Sequence, residues 1–160
     1  MNSVRIEPMG PAERPALRRL FQLYLHDLSA FEPTSPGADG RFDEGPYLDL
    51  YWTEEDRHPF LIKAGDRLAG FVLVREIESG ARQIAEFFVL RGERGRGVGR
   101  AAAQEAFERF PGRWEVAQLK DNLPAQAFWR RVVGQYTEGR YLERATDSPP
   151  GGVMQLFTTI

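Results

Sequence analysis

The chain has 160 residues, 42% hydrophobic, 28% charged and 12% aromatic, with a formal net charge of −2. A single domain spanning residues 1–160 is expected, since a chain of that length buries about 70% of its extended surface and supports a full hydrophobic core. The charge balance argues against general nucleic-acid binding, and the absence of cysteine excludes disulfides, thiolate metal sites and a cysteine acyl-enzyme.

The two histidines, His26 and His58, stand alone, so no metal site is expected. The N-terminus, MNSVRIEPMG, has no apolar leader segment, and no apolar run approaches the roughly 18 residues of a membrane span. A cytoplasmic protein without a membrane partner is therefore expected. Nineteen of the 21 basic residues are arginine, a bias that suits a bacterial source.

Residues 4–7 alternate and stop at Pro8, which predicts a short strand. Residues 11–28 follow as an amphipathic helix, with Leu17, Leu20, Phe21, Tyr24, Leu25 and Leu28 spaced by three and four. Residues 29–46 hold Pro33, Pro36, Gly37, Gly40, Gly45 and Pro46 and read as a long irregular loop. A short helix over 47–56 carries Tyr51 and Trp52. Strands at 60–64 and 68–77 flank the hairpin turn Gly65-Asp66, and the run LAGFVLV predicts burial on both faces.

Residues 82–90 form a further strand. An Ala-rich helix over 97–110 ends at Pro111-Gly112, and a strand follows at 114–119. Two strands joined through a helix pair in parallel with a right-handed crossover. A helix over 123–133 and strands at 137–142 and 153–158, the last two joined by SPPGG, complete the chain.

The turn between the strand and the Ala-rich helix, RGRGVG, carries the chemistry. A helix start leaves unpaired N–H groups and carries roughly half a positive charge, so it receives phosphate without help from a side chain. Gly95, Gly97 and Gly99 permit close backbone approach, and Arg94, Arg96 and Arg100 add cationic forks for a cofactor's pyrophosphate. Gly97 to Ala102 also fits the dinucleotide pattern G-x-G-x-x-A, with Asp121 about 20 residues on. Against it, six residues separate Leu90 from Gly97, where that pattern runs its strand straight into the first glycine. Gly92 and Gly97 have P-loop spacing, but Val98-Gly99 replaces the Lys-Ser/Thr that would reach phosphate and magnesium.

The turn resembles motif A of the GCN5-related N-acetyltransferase (GNAT) family, with Arg94, Gly97 and Gly99 filling its Arg-x-x-Gly-x-Gly signature. DNLPAQAFWRRV resembles motif B through Asn122, Ala125 and Phe128. The resemblance implies an α/β fold in the order β-α-α-β-β-β-α-β-α-β-β: a mixed, mostly antiparallel central sheet flanked by helices, its parallel central strands splayed. It also implies an N-acetyltransferase that moves the acetyl group of acetyl-CoA directly to a primary amine. Phe87, Phe88 and Val89 would flank the pantetheine arm, and residues Arg94, Gly95, Arg96, Gly97, Val98, Gly99 and Arg100 would hold the phosphates. Asn122 would bond to the arm or cap its helix, and Trp129 would stand beside the cofactor.

Trp129 is a departure, because many relatives place there a tyrosine proposed to protonate the leaving thiolate, and indole is no usable acid. A thiol of pKa about 8.5 leaves as thiolate only about 2 kcal/mol uphill at pH 7, whereas deprotonating an amine of pKa about 10.4 costs nearer 4.6 kcal/mol. The base therefore matters more than the acid. Glu86 is the candidate base, alternatively a structural ion-pair partner; Tyr136 and Tyr24 are weaker candidates for an acid, with core or rim packing as the alternative for either. A backbone N–H near Val89 would stabilise the oxyanion.

Asp27, Glu32, Asp39, Asp43, Glu44 and Asp49 make the first helix and loop acidic, which is either a lure for a cationic amine or a solvated surface. Expected partners are a small-molecule or peptide amine and, as an open assembly, a second copy of the chain. The alternative function is a non-catalytic acyl-CoA sensor, with a nicotinamide-binding enzyme third.

Overall fold

A computed structural model describes residues 3–146 and 151–160, so most of the SPPGG loop lies outside the described residues. Seven strands form one sheet: β1 (Val4–Pro8), β2 (Arg57–Ala64), β3 (Arg67–Glu76), β4 (Arg82–Val89), β5 (Gly112–Leu119), β6 (Leu142–Thr146) and β7 (Gly152–Thr159). Their order is β1-β2-β3-β4-β5-β7-β6, and every pairing is antiparallel except β4 with β5. Helix α1 (Arg14–Leu28) follows a 3-10 turn, α2 (Val98–Arg109) is the β4–β5 crossover, and α3 (Leu123–Thr137) joins β5 to β6.

The two faces of β3 show why the sheet is central. Val72 and Val74 pack with Ala102, Ala103, Ala106 and Phe107 of α2 and Val132 and Val133 of α3. Phe71 and Leu73 point the other way, against Leu17, Leu20 and Phe21 of α1. A period of two in a wholly apolar run thus feeds two cores at once. The alanines let α2 lie close to the sheet, where Phe107 meets Trp114 and Phe157 edge-on at centroid distances of 5.1 and 5.0 Å.

Gly70 lies where the hairpin admits no side chain, since a Cβ there would fall 1.9 Å from the Phe88 carbonyl oxygen. Because the obstacle is backbone, Gly70→Ala should cost about 1–3 kcal/mol as β3 and β4 are pushed apart. Urea denaturation checks this; an unchanged midpoint would contradict the packing.

Three sequence expectations shift. The short helix expected at 47–56 is present and carries Tyr51 and Trp52, but it is a 3-10 helix confined to Leu48–Trp52. Strand β2 begins at Arg57, before the expected residue 60: Pro59 is accommodated because β1 has ended opposite it, at Pro8↔Phe60. The strand expected at 137–142 is the largest correction. Helix α3 runs on to Thr137, whose hydroxyl donates to the Val133 carbonyl at 2.7 Å, and stops at Glu138 and Gly139, both left-handed at φ 53° and 79°. The sixth strand starts at Leu142 instead. Packing of Tyr136 on Phe107, at 5.3 Å, outweighs the weak helix propensity of the Tyr-Thr-Glu-Gly stretch.

Candidate active site

Strands β4 and β5 pair only from Arg82↔Trp114 to Ile84↔Val116. Beyond that the two strands part, and β5 stays with β7 as far as Leu119. A wedge of aromatic rings fills the base of the gap: Phe87 meets Trp129 at 4.9 Å, and Trp129 meets Phe128 at 5.0 Å. On the far side, the Gln126 amide donates to the carbonyls of Leu119 and Lys120 at 2.9 and 3.0 Å and fastens the start of α3 to the end of β5. The result is a cleft of about 740 Å³ whose walls include Phe87, Phe88, Val89, Asn122 and Trp129.

The glycine-rich turn forms the cleft's mouth. Gly95 and Gly97 have φ of 79° and 78°, a region that glycine enters without penalty, and Gly97 is the N-cap of α2. No side chain caps this helix, and its first internal bond runs from Ala101 N–H to Gly97 C=O at 3.0 Å. The N–H groups of Val98, Gly99 and Arg100 are left without intrahelical acceptors and stand at the cleft. Gly99 is small for a different reason: a Cβ would sit 3.0 Å from the Phe128 ring.

The arginines of the turn divide. Arg94 donates to the Val89 carbonyl at 2.8 Å and to Asp27 at 2.6 Å, and Arg91 reaches the same carboxylate at 2.8 Å. Together they clamp the end of α1 to the turn. Burial works to raise the Asp27 carboxyl, but hydrogen bonds from Arg94 and Arg91 outweigh it and hold it below its ordinary range. Arg96 lies 4.0 Å from Glu93, outside the cleft wall. Among the described residues Arg100 makes no ion pair and faces the cleft, as does Arg131, a cation that the sequence reading passed over. Its only sequence signal is the Arg130-Arg131 pair within DNLPAQAFWRRV, just after Phe128 and Trp129; Arg130 is spent on Glu143, at 2.8 and 2.9 Å.

Asn122 caps α3 by accepting the Ala125 N–H at 3.2 Å and also lines the cleft, so both of its expected positions coincide. Trp129 is only 5% exposed. Tyr136 sits in the last turn of α3 against Phe107, away from the cleft wall, and burial raises its pKa.

Glu86 reaches its position through a β-bulge. The β3–β4 register passes from Leu73↔Glu86 to Val74↔Ile84, leaving Ala85 unpaired. Ile84 faces the α2 side, and without the extra residue Glu86 would share that face. With it, Glu86 and Phe88 turn toward α1, while Phe87 and Val89 line the other side. There the Tyr24 hydroxyl donates to Glu86 Oε2. Burial lifts the Glu86 carboxyl from 4.5 to about 7, the Tyr24 bond pulls against it, and Glu32 adds to the rise. Burial first, and then the Glu86 charge, push the Tyr24 hydroxyl well above its ordinary value. A half-buried carboxyl titrating near neutrality is suited to take a proton from an amine and release it again.

The acidic loop is largely neutralised. Asp49 pairs with Arg14 and Arg18, Glu44 with Arg41 at 2.9 Å, and Asp39 and Asp43 accept backbone N–H groups of Arg41 and Gly45. The cluster is chiefly a brace for the loop, and the proximity of Glu32 to Glu86 is what remains of a cation lure.

An uncapped helix start beside a strand edge that has lost its partner can receive an anion and an extended chain together. The chain belongs to the Acetyltransferase (GNAT) family, whose model matches residues 17–134, and is an acetyltransferase of that family. No curated protein matches it significantly by sequence. Solved structures share its fold. An acetyltransferase from Thermus thermophilus is 20% identical, with 99% of each chain covered and a TM-score of 0.71. The ribosomal L7/L12 alpha-N-protein acetyltransferase RimL, in complex with coenzyme A, is 14% identical, with 98% of this chain and 94% of the other covered and a TM-score of 0.70. The aminoglycoside acetyltransferase AAC(6')-Ib, with coenzyme A and kanamycin, is 14% identical over 98% and 95%, with a TM-score of 0.68. No helix among the described residues is long and apolar enough to cross a membrane.

Proposed function

We propose that the chain transfers the acetyl group of acetyl-CoA directly to a primary amine of a small molecule or peptide, in the cytoplasm of a bacterium. The observation that carries this reading is the uncapped, glycine-rich start of α2 at the mouth of the split between β4 and β5. The pyrophosphate sits on the N–H groups of Val98 to Arg100, with Gly95 and Gly97 giving it room and Arg100 and Arg131 supplying charge. The pantetheine arm runs along Phe87 to Val89, opposite Asn122, in the span where β4 has no β5 partner. Arg94 serves this site by fixing the turn to α1, and Trp129 by closing the apolar floor beneath the thioester. Glu86 is the base that takes the proton from the incoming ammonium, directly or through water. The fold is shared with enzymes whose names specify an aminoglycoside and a protein α-amine, which supports an amine acceptor without choosing between them.

Calorimetric titration with acetyl-CoA, followed by thiol release against a panel of amines, tests the proposal. Binding with release on some amines is expected. Absence of binding would overturn the phosphate-site assignment, and binding without release on any amine would favour a sensor.

A further inference from the structure

Trp129 closes the cleft floor with an indole, which is no usable acid, so the departing sulfur needs another proton source, and the cleft wall offers few. Apart from Tyr24, the described residues that line it are apolar side chains, glycines, arginines, Asn122, Trp129 and Asp27. Arginine, asparagine and indole do not give up a proton near neutral pH. Asp27 is held as a carboxylate between Arg91 and Arg94. Among the described residues, Tyr24 is thus the one hydroxyl-bearing residue of the wall, and its hydroxyl is also the group bonded to Glu86. Glu86 itself is half-buried and is not one of the wall residues.

We propose that Tyr24 is the proton donor to the leaving thiolate and that it is recharged by Glu86, so that base and acid form one relay across the α1 face of β4. This rests on the reading of Glu86 as base. A protonated acceptor loses two protons. The first leaves through Glu86 to solvent. The neutral amine then forms the C–N bond, the C–S bond breaks, and its electron pair goes to sulfur. The Tyr24 hydroxyl proton moves to that sulfur, the second nitrogen proton moves to Glu86, and Glu86 returns a proton to the Tyr24 oxygen. The thiol and amide leave with both side chains restored, and no further reactant is needed.

Geometry holds the relay in place. The Tyr24 ring is wedged among Phe21, Phe71 and Phe88 at centroid distances of 5.4, 5.5 and 6.0 Å, with an edge-on contact to Phe71, so the hydroxyl has little freedom to leave Glu86. The bulge at Ala85 is what turns Glu86 toward it. Other ionisable groups facing the pair are Glu32 and Tyr51, the latter beside Arg57 and Arg75. The direction of transfer is favourable: a carboxylic acid at about 7 is a stronger acid than a thiol near 8.5. Tyr24, raised by burial and by the Glu86 charge, does not persist as phenolate, so its two proton movements are coupled.

Tyr24→Phe keeps the ring packing and removes only the hydroxyl. With the fastest amine of the panel, its single-turnover rate should fall about 100-fold at every pH between about 6 and 9, with the acetyl-CoA KM within about threefold of wild type. The solvent deuterium effect should change as well: a curved, multi-proton dependence on deuterium fraction in the wild type should become linear. Glu86→Gln, measured alongside, should depress the rate most where the amine is protonated. A Tyr24→Phe rate within about threefold of wild type, or one that only shifts along the pH axis with its plateau kept, overturns the relay while the base reading stands. A slow Tyr24→Phe beside a Glu86→Gln variant of unchanged pH profile overturns the base reading, and the relay with it.

Discussion

Gly97→Leu should weaken acetyl-CoA binding at least about 100-fold, a loss of about 2.7 kcal/mol, while leaving a folded chain. Gly97 caps α2 at φ 78°, and around it a Cβ would meet only the end of the Arg100 guanidinium, at 3.8 Å. The open space is the space the pyrophosphate needs, so a side chain there removes the approach without disturbing the core. The left-handed conformation itself costs leucine about 1–2 kcal/mol, which should lower the melting temperature by a few degrees and no more. Calorimetry with acetyl-CoA and a thermal melt separate the two effects. Unchanged affinity in a folded variant would move the phosphate site elsewhere.

Glu86→Gln should lower turnover about 100-fold near neutral pH and, in the same molecule, raise stability at alkaline pH. The Glu86 carboxyl is lifted from 4.5 to about 7, so the folded chain holds this proton more tightly than the unfolded chain does. The stabilisation is fully present below pH 4.5 and is lost as pH rises to about 7, where ionisation in a half-buried position costs roughly 3 kcal/mol. Glutamine cannot ionise and still accepts the Tyr24 hydroxyl. Urea titrations should therefore find wild type and variant similar at pH 4 and the variant more stable at pH 8. Equal stability at both values would mean that the carboxyl titrates like a solvated one, which would remove the physical basis for its choice as base. A group kept in place at a cost to stability is what a site selected for chemistry shows.

Helices and most strands were legible because their signals are local. The spacing of Leu17, Leu20 and Phe21 follows one helical face, and all three are buried; LAGFVLV is buried on both faces, as its unbroken apolarity implies. Gly65-Asp66 marks its hairpin, and the RGRGVG turn falls between β4 and α2 as read. The error at 137–142 came from the same source. Residues 137–142 read as a strand, and nothing local says that Phe107, far away in the chain, will hold Tyr136 on a helix. The arginines of the turn divide in a way the sequence does not show. Arg94, Arg96 and Arg100 look equivalent in sequence, yet Asp27, 67 residues before Arg94, takes Arg94 together with Arg91, and Arg131 arrives from another helix.

Composition, the Gly-Arg turn and the order of apolar segments suffice for the family resemblance, the layered α/β architecture and the uncapped, glycine-rich start of α2, because each depends on residues adjacent in the chain. The catalytic face does not. Whether Glu86 points toward α1 or α2 depends on one unpaired residue at Ala85, and its meeting with Tyr24 spans 62 positions. Alternation along a strand predicts the side of a residue only while the ladder is regular. A bulge is created by how two strands pair, so the side on which Glu86 lies and its meeting with Tyr24 were settled by tertiary contacts that no local pattern encodes.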